Sequence, residues 1–179
     1  VPNVNPTYHY RRKFNLKKGD QQYYLNFEGV DSCFYLYVND RFVGFSQISH
    51  RQSEFDVTDY LTDGENKLDV LVLKWCMGSY LEEQDKLRFT GIFRDVYLLS
   101  RPFGHVVDYR IETAIDGTVT FTLIDGTEAN VTFAGEEKKV SAGKTVTFKV
   151  KDPILWSAEN PYLYDMTITY KDEVIGEKV

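Results

Sequence analysis

Short runs of aromatic and β-branched residues, each bounded by turn residues, constrain the fold more than any other feature of this sequence. Such runs are typical of strands, because these side chains fit a pleated and partly buried surface. The clearest runs are residues 23–27, 33–38, 67–75 and 93–99. Asn39-Asp40 separates one of them from another apolar run, 42–45, and this spacing predicts a hairpin. Together with an aromatic content of 15%, the pattern predicts an all-β protein.

Turn signals recur about every ten residues in the second half of the chain, which is typical of a β-sandwich. They are Asp116-Gly117, Asp125-Gly126, Gly135-Glu136, Ala142-Gly143 and Lys171-Asp172. The stretch Arg-Pro-Phe-Gly at 101–104 has the composition of a linker. We therefore predict two all-β domains, at residues 1–102 and 103–179.

Charge and hydropathy exclude several functional classes. The net charge is −6 and the longest basic run is the triplet at 11–13, whereas nucleic-acid binders carry a basic patch. No apolar stretch approaches the roughly 20 residues that span a bilayer. We therefore expect neither a nucleic-acid partner nor a membrane. The sequence also lacks a nucleophile elbow, a P-loop and a dinucleotide-binding glycine motif.

The histidines and cysteines do not form a metal-binding or catalytic pattern. His9, His50 and His105 are isolated and lack zinc-ligand spacing, so packing or surface roles are favoured. Cys33 and Cys76 both lie in strand-like apolar runs. Two buried free thiols are the favoured interpretation, and a single disulfide between them is the alternative.

An acidic segment interrupts the strand pattern between residues 76 and 92 and is longer than most loops. Glu82, Glu83 and Asp85 could bind a hard cation or sugar hydroxyls, or supply the carboxylate pair of a glycosidase; a solvated surface is the alternative. The flanking rings of Tyr80, Phe89 and Phe93 could stack on a sugar, although core packing is the default for aromatic residues in a β-protein. The residues alone leave this choice open.

Several motifs resemble glycoside hydrolase family 2, and among its members the large bacterial β-galactosidases. They are Ser-Glu-Phe-Asp at 53–56, Gly-Glu-Asn at 64–66, Gly-Ser-Tyr-Leu-Glu-Glu-Gln-Asp at 78–85, Gly-Ile-Phe-Arg-Asp-Val at 91–96 and Leu-Trp-Ser-Ala-Glu-Asn-Pro-Tyr-Leu-Tyr at 155–164. The motifs occur in the family's order and cover nearly the whole chain. A β-glucuronidase or a β-mannosidase relative is the alternative within the family, and Glu83-Gln84-Asp85 favours galactose.

The resemblance implies a jelly-roll (galactose-binding-like) sandwich that lacks its N-terminal strands. An immunoglobulin-like sandwich follows, and its C-terminal end is also expected to be incomplete. In such enzymes a separate (β/α)8 barrel carries both catalytic glutamates and hydrolyses terminal β-galactosides with retention. We therefore expect a piece of a longer enzyme that contains no catalytic residue and is inactive alone.

The resemblance assigns one site residue, Asp85. In the bacterial β-galactosidases, the acid that matches Asp85 helps hold a sodium ion and the 6-hydroxyl of galactose. The resemblance therefore implies that sodium and magnesium are cofactors of the parent enzyme. The family's magnesium ligands correspond to Gln47 and Met77, and a thioether is a poor magnesium ligand. Leu87 stands where the family has Trp, so the loss of an aromatic surface near the sugar is expected, separately from the metal sites. We therefore expect this chain to bind neither metal tightly.

The remaining expectations concern partners and structural residues. The resemblance implies contact with the chain's own catalytic barrel and a β-galactoside, in the cytoplasm or periplasm of a bacterium. An open sheet edge predicts a homo-oligomer. Arg94 and Asp95 are expected to form a buried or interface ion pair. Trp156 and Pro161 are expected to lock the strand ends of the second sandwich.

Two other classes of function stay open at this point. The chain could be a free carbohydrate-binding module or lectin-like protein, which would need its own exposed aromatic platform. It could also be a purely structural pair of β-sandwiches, such as a spacer, for which no sugar affinity is expected.

Overall fold

The structure is a computed structural model that describes residues 3–81 and 88–179. The chain divides into two compact units, Val1–Arg101 and Pro102–Val179, which we call unit 1 and unit 2. Antiparallel sheets form both units, and the prediction of an all-β protein is confirmed.

Unit 1 contains two main sheets, whose strands are numbered here in chain order. The first has the order β1-β7-β4-β5 and consists of β1 (Thr7–Leu16), β4 (Cys33–Val38), β5 (Arg41–Ser46) and β7 (Gly64–Leu73). The second has the order β6-β2-β9 and consists of β2 (Gln22–Phe27), β6 (Ser53–Asp56) and β9 (Val96–Arg101). A short pair, β3 (Val30–Asp31) and β8 (Gly91–Ile92), and one helix, α1 (Met77–Leu81), complete the unit.

The core of unit 1 follows from side-chain alternation along the strands. In β4, Phe34, Leu36 and Val38 are each at most 2% exposed, whereas Tyr35 and Tyr37 point to the opposite face. This is the period of two expected for strands with one buried face. The predicted hairpin between β4 and β5 is confirmed, since Asn39 and Asp40 both adopt positive φ, as a tight two-residue turn requires.

A cleft of about 470 Å³ opens into the core of unit 1. Its walls include Phe14 of β1, Phe27 of β2, Val70 of β7 and Leu98 of β9. β1 lies at the end of its sheet and β9 at the end of the other. Apolar core residues therefore reach the surface between two edge strands.

Unit 2 is a second sandwich, with sheet orders β10-β11-β14 and β13-β12-β15-β16. The strands are β10 (Asp108–Thr113), β11 (Thr118–Asp125), β12 (Glu128–Phe133), β13 (Glu136–Ser141), β14 (Thr145–Lys149), β15 (Asp165–Tyr170) and β16 (Glu173–Lys178). Its core includes Phe121, Leu123, Val131 and Ile168, each fully buried. Every predicted turn signal falls between consecutive strands or at the edge of one, and Gly117, Gly143 and Lys171 adopt positive φ there.

Several sequence-based expectations were wrong. β1 was not predicted: it is an edge strand with residues exposed along most of its length, so it lacks the alternation of a buried strand. The strand expected at 93–99 begins only at Val96. Trp156 is 59% exposed and therefore does not lock the end of the second sandwich; Pro161 is exposed as well.

Within residues 3–81 and 88–179, no helix combines the length and hydropathy that a membrane crossing needs.

Candidate functional site

Asp85, the one site residue assigned by resemblance, lies outside the described residues, as do Glu82, Glu83 and Leu87. The structure does describe both ends of the acidic segment. The helix α1 leads into it, and residues 88–92 lead out of it. The local geometry of these two ends is described below.

The incoming end is held by a chain of hydroxyl hydrogen bonds. The Ser79 hydroxyl accepts from the Cys76 amide at 3.1 Å and donates to the Ser32 hydroxyl at 3.0 Å. The Ser32 hydroxyl in turn donates to the Lys74 carbonyl at 2.7 Å. Ser79 and Ser32 are at most 5% exposed. Because buried hydroxyls are costly without partners, this chain ties α1 to the start of β4.

The outgoing end is held by a buried carboxylate. Asp31 is 3% exposed and its Oδ2 accepts a hydrogen bond from the Phe89 amide at 2.8 Å. Just beyond, β8 pairs with β3, with Ile92 opposite Val30 and Gly91 opposite Asp31. An amide donating to a carboxylate makes one of the stronger hydrogen bonds in proteins. Residues 89–92 are therefore fixed to β3.

Asp31 and Ser32 thus secure both ends of the acidic segment from adjacent positions. We call this pair of anchors the Asp31–Ser32 clamp. A third contact joins the two ends to each other, since the Arg88 guanidinium donates to the Ser79 carbonyl. The clamp was missed in the sequence because its partners are 47 and 58 positions away. One signal was available, an acid between apolar residues at 30–33, where a buried and satisfied carboxylate is expected.

Glycine is required at two positions around the clamp. Gly91 adopts a φ of +90°, and a Cβ there would lie 2.5 Å from the Tyr10 hydroxyl. A Cβ on Gly29 would lie 2.8 Å from the Phe93 ring. Both distances are shorter than real Cβ contacts, so a side chain at either position would displace a ring next to the clamp.

An aromatic group lies beside the outgoing end. The Phe89 and Phe93 rings stack with centroids 4.7 Å apart, and the His50 ring lies 5.5 Å from Phe93. Phe89 is 45% exposed, and Tyr80 on α1 is 48% exposed. His50 Nε2 is buried without a hydrogen-bond partner among the described residues. Two of the three rings predicted to flank the acidic segment therefore form one stack, in which Phe89 is exposed and Phe93 is half-buried, and His50 was not predicted to join it.

Arg94 does not form the expected buried ion pair with Asp95. Both residues are exposed, and the structure contains no salt bridge between them in the part of the chain that it describes. The Arg94 guanidinium instead lies 5.4 Å from the Phe93 ring centroid and donates to the His50 carbonyl at 3.4 Å. Arg94 therefore supports the aromatic group rather than a carboxylate.

Both cysteines are free, as predicted, although only Cys33 is buried in a strand. Cys76 is half-buried and follows β7, because that strand ends at Leu73. Burial, reinforced by the neighbouring Cys76 thiol, raises the pKa of Cys33 to about 12. Neither observation indicates an activated nucleophile, which would need a depressed pKa.

A second group of exposed rings covers the outer face of the first sheet. Tyr35 and Phe45 are paired across β4 and β5 with centroids 4.8 Å apart, and Tyr37 lies 5.5 Å from Phe42. Tyr35, Phe42 and Phe45 are 37–52% exposed. We call these four residues the aromatic face. The rings are tilted by 45–60° within these pairs, so they do not form one flat surface.

A charged cluster lies in the same sheet. Asp69 is opposite Tyr37 and is 7% exposed; it accepts from Arg11 Nε at 2.7 Å and is hydrogen-bonded to His9. Burial raises the pKa of Asp69, but the hydrogen bonds from Arg11 and His9 outweigh it and hold this pKa below its ordinary value. His9 therefore has a structural partner, in keeping with the surface role predicted for it.

The family's magnesium position does not fit this chain. Met77 opens α1 with 74% of its surface exposed, and Gln47 is exposed too. A thioether and a single amide offer magnesium one suitable oxygen, where carboxylates and waters are preferred. Among residues 3–81 and 88–179, no three His, Cys, Asp or Glu side chains are grouped to hold a metal ion.

Two family models match the chain. The description of the first, over residues 1–102, is "Glycosyl hydrolases family 2, sugar binding domain", and that of the second, over residues 104–179, is "Glycosyl hydrolases family 2". The chain belongs to glycoside hydrolase family 2. The resemblance of the sequence motifs to this family is therefore confirmed.

Curated relatives of the chain include β-galactosidases from bacteria. The chain is 46% identical to the β-galactosidase of Staphylococcus xylosus and 44% identical to that of Actinobacillus pleuropneumoniae. Each match covers 100% of this chain and 19% of the relative. The chain therefore spans about one fifth of the length of these relatives.

Solved structures of family 2 proteins share the fold. A β-glucuronidase from Ruminococcus gnavus matches with a TM-score of 0.75 over 99% of this chain and 35% of its own, at 17% identity. An uncultured Clostridium β-glucuronidase matches with a TM-score of 0.71 over 95% of this chain and 34% of its own, at 20% identity. At this identity the likeness supports the fold and leaves the substrate to be argued separately.

Proposed function

We propose that this chain is the non-catalytic N-terminal region of a β-galactosidase that hydrolyses terminal β-galactosides with retention. The observation that carries the proposal is the Asp31–Ser32 clamp, which fixes both ends of the segment containing Asp85 in a chain matched over its full length by β-galactosidases. A clamped segment can present a side chain to a pocket on another domain. The reacting carboxylates belong to the barrel of the parent enzyme.

Within this proposal, Asp85 supplies one anionic oxygen to the substrate pocket. A carboxylate is suited to accept a hydrogen bond from a sugar hydroxyl and to bind a hard cation such as sodium. Sodium is thus proposed to act in the parent enzyme through Asp85. Magnesium is proposed only for other parts of the parent, since Met77 and Gln47 are a poor donor set.

The test is the kinetics of Asp85→Ala in the full-length enzyme. Loss of one charged hydrogen bond costs about 1.5–3 kcal/mol, so we expect KM for an aryl β-galactoside to rise about 10-fold to 150-fold. We also expect the sodium dependence of KM to weaken. Glu137→Ala is the control, because Glu137 is an exposed acid on β13 in unit 2. Unchanged KM and sodium dependence in Asp85→Ala would remove this role.

A second candidate function, a carbohydrate-binding module acting alone, is favoured by the aromatic face. Exposed rings can stack on the apolar face of a pyranose, and the polar groups of Arg11 and Asp69 lie in the same sheet. Titration calorimetry of the 179-residue chain with galactose and lactose tests it. Binding tighter than about 1 mM would support this candidate, and no heat at millimolar sugar would exclude it.

We also propose that the chain self-associates. β1 pairs only with β7 among the described residues, so the other edge of this ten-residue strand can accept a further strand. The cleft beside it would be covered at the same time. Light scattering over a range of concentrations should give dimers or larger species, and a monomer at every concentration would contradict the proposal.

A further inference from the structure

The two cysteines of unit 1 form a thiol pair at the incoming end of the acidic segment. Cys33 opens β4 and is 3% exposed, whereas Cys76 is half-buried and lies directly before α1. The two thiols are hydrogen-bonded to each other. Two cysteines in contact, one of which solvent can reach, are the arrangement from which a disulfide forms by thiol–disulfide exchange.

Backbone contacts hold the thiol pair together without help from the thiols. Cys33 lies opposite Leu73 in the ladder between β4 and β7, and the Ser32 amide donates to the Leu73 carbonyl at 3.3 Å. Three residues further along the chain, the Cys76 amide donates to the Ser79 hydroxyl at 3.1 Å. That hydroxyl also donates to the Ser32 hydroxyl at 3.0 Å, so the residues beside both thiols belong to one network. Each thiol therefore experiences a high effective concentration of the other.

The two thiols differ in their access to solvent. Burial, reinforced by the Cys76 thiol, raises the pKa of Cys33 to about 12, so the Cys33 thiol stays protonated and shielded. Cys76 is only half-buried, its sulfur lies 3.7 Å from the Ser79 hydroxyl, and the next residue, Met77, is 74% exposed. A small oxidant therefore reaches Cys76 first, and Cys33 is placed to react with the product.

We infer that Cys33 and Cys76 form a reversible disulfide when the protein meets a low-molecular-weight disulfide such as glutathione disulfide, and that this bond fixes α1 to the start of β4. In the first step, the Cys76 thiolate attacks the reagent, forms a mixed disulfide and releases one glutathione thiolate. In the second step, Cys33 loses its proton to solvent, attacks the Cys76 sulfur and releases the second glutathione thiolate. Two protein thiols are oxidised, and one glutathione disulfide is reduced to two glutathione thiols.

The bond acts on the frame of the acidic segment. α1 leads into that segment, and hydrogen bonds through Ser79 and Ser32 tie α1 to β4. A covalent link beside these hydrogen bonds restricts the open conformations in which they break, so α1 opens less often. This inference concerns the thiol state of unit 1 and does not depend on which sugar the parent enzyme cleaves.

A glutathione redox titration of the 179-residue chain tests the bond. The chain is equilibrated at a series of ratios of reduced to oxidised glutathione, quenched with acid, unfolded, labelled with N-ethylmaleimide and read by mass spectrometry. We expect both cysteines to lose their label together in one intramolecular cross-link. The equilibrium constant for oxidation should be at least about 10-fold larger in buffer than in urea, because the fold holds the thiols together. A constant no larger in buffer, a glutathione adduct on Cys76 alone, or a bond between two copies would overturn the inference.

Variants and hydrogen exchange give an independent readout. Cys33→Ala should stop at the glutathione adduct on Cys76, whereas Cys76→Ser, the matched control, should leave the buried Cys33 unmodified. In the oxidised wild-type chain, the amides of residues 77–81 should exchange with deuterium at least about 5-fold more slowly than in the reduced chain. The same treatment should leave exchange in Cys76→Ser unchanged. Equal exchange at 77–81 in the oxidised and reduced wild-type chains would refute the inference.

Discussion

Replacing Asp31 with Ala should release the outgoing end of the acidic segment. Asp31 Oδ2 accepts from the Phe89 amide at 2.8 Å, and the carboxylate is 3% exposed. A hydrogen bond to a charged group contributes about 1.5–3 kcal/mol. If that energy opposes local opening of residues 88–92, their amides should exchange with deuterium about 10-fold to 150-fold faster in the variant.

The assay is hydrogen exchange of the 179-residue chain, resolved to peptides that cover 88–92. Asp20→Ala is the control, since Asp20 is an exposed acid in the same unit. The amide of Leu36, in the core strand β4, reports on global unfolding, because the Leu36 side chain is fully buried. Faster exchange at 88–92 with unchanged exchange at Leu36 would support the clamp. Exchange at 88–92 equal to that of Asp20→Ala would refute the reasoning.

Three further predictions concern unit 2. Phe121→Ala, at a fully buried ring, should lower the free energy of unfolding by about 3–5 kcal/mol in urea denaturation, and an unchanged midpoint would contradict the assigned core. Burial and the hydrogen bond to Glu177 raise the pKa of Tyr109 to about 12. The contribution of Tyr109 to the free energy of unfolding should therefore be complete below about pH 10 and lost as the pH rises through 12. Tyr109→Phe should reduce this loss of stability at alkaline pH, as measured by circular dichroism. The hydrogen bond from Lys149 lowers the pKa of Asp116 to about 2. The contribution of Asp116 to the free energy of unfolding should therefore be present above about pH 4 and lost as the pH falls through 2. Asp116→Asn should remove this dependence of the thermal midpoint on acid pH.

The strands that the sequence predicts well are those with one buried face. The alternation in β4 follows directly from burial of Phe34, Leu36 and Val38, and the Asn39-Asp40 turn has the backbone that such residues favour. β1 was missed because an edge strand buries little, and its Arg11 and Lys13 resemble a solvated run. Local sequence patterns reflect the burial of side chains. β1, in contrast, is extended because its backbone pairs with β7.

The candidate site was predictable only in part. Residue chemistry pointed to the acidic segment and its flanking rings, and the resemblance pointed to Asp85 within it, whereas the clamp depends on contacts across more than 40 positions. Such contacts are set by sheet register, which a single sequence does not specify. Trp156 illustrates the converse: an aromatic residue in a family motif is expected to be packed, and only the structure reveals that its ring faces solvent.

The central claim, that the chain belongs to a β-galactosidase, is tested most directly by substrate preference. The solved structures that share its fold include β-glucuronidases, whereas the curated relatives at 46% and 44% identity are β-galactosidases. The measurement is kcat/KM of the full-length enzyme on an aryl β-galactoside and on the matching aryl β-glucuronide. A preference of about 100-fold or more for the galactoside is predicted, because a pocket built for a neutral hydroxyl leaves a carboxylate unpaired. Equal values or a preference for the glucuronide would contradict the account.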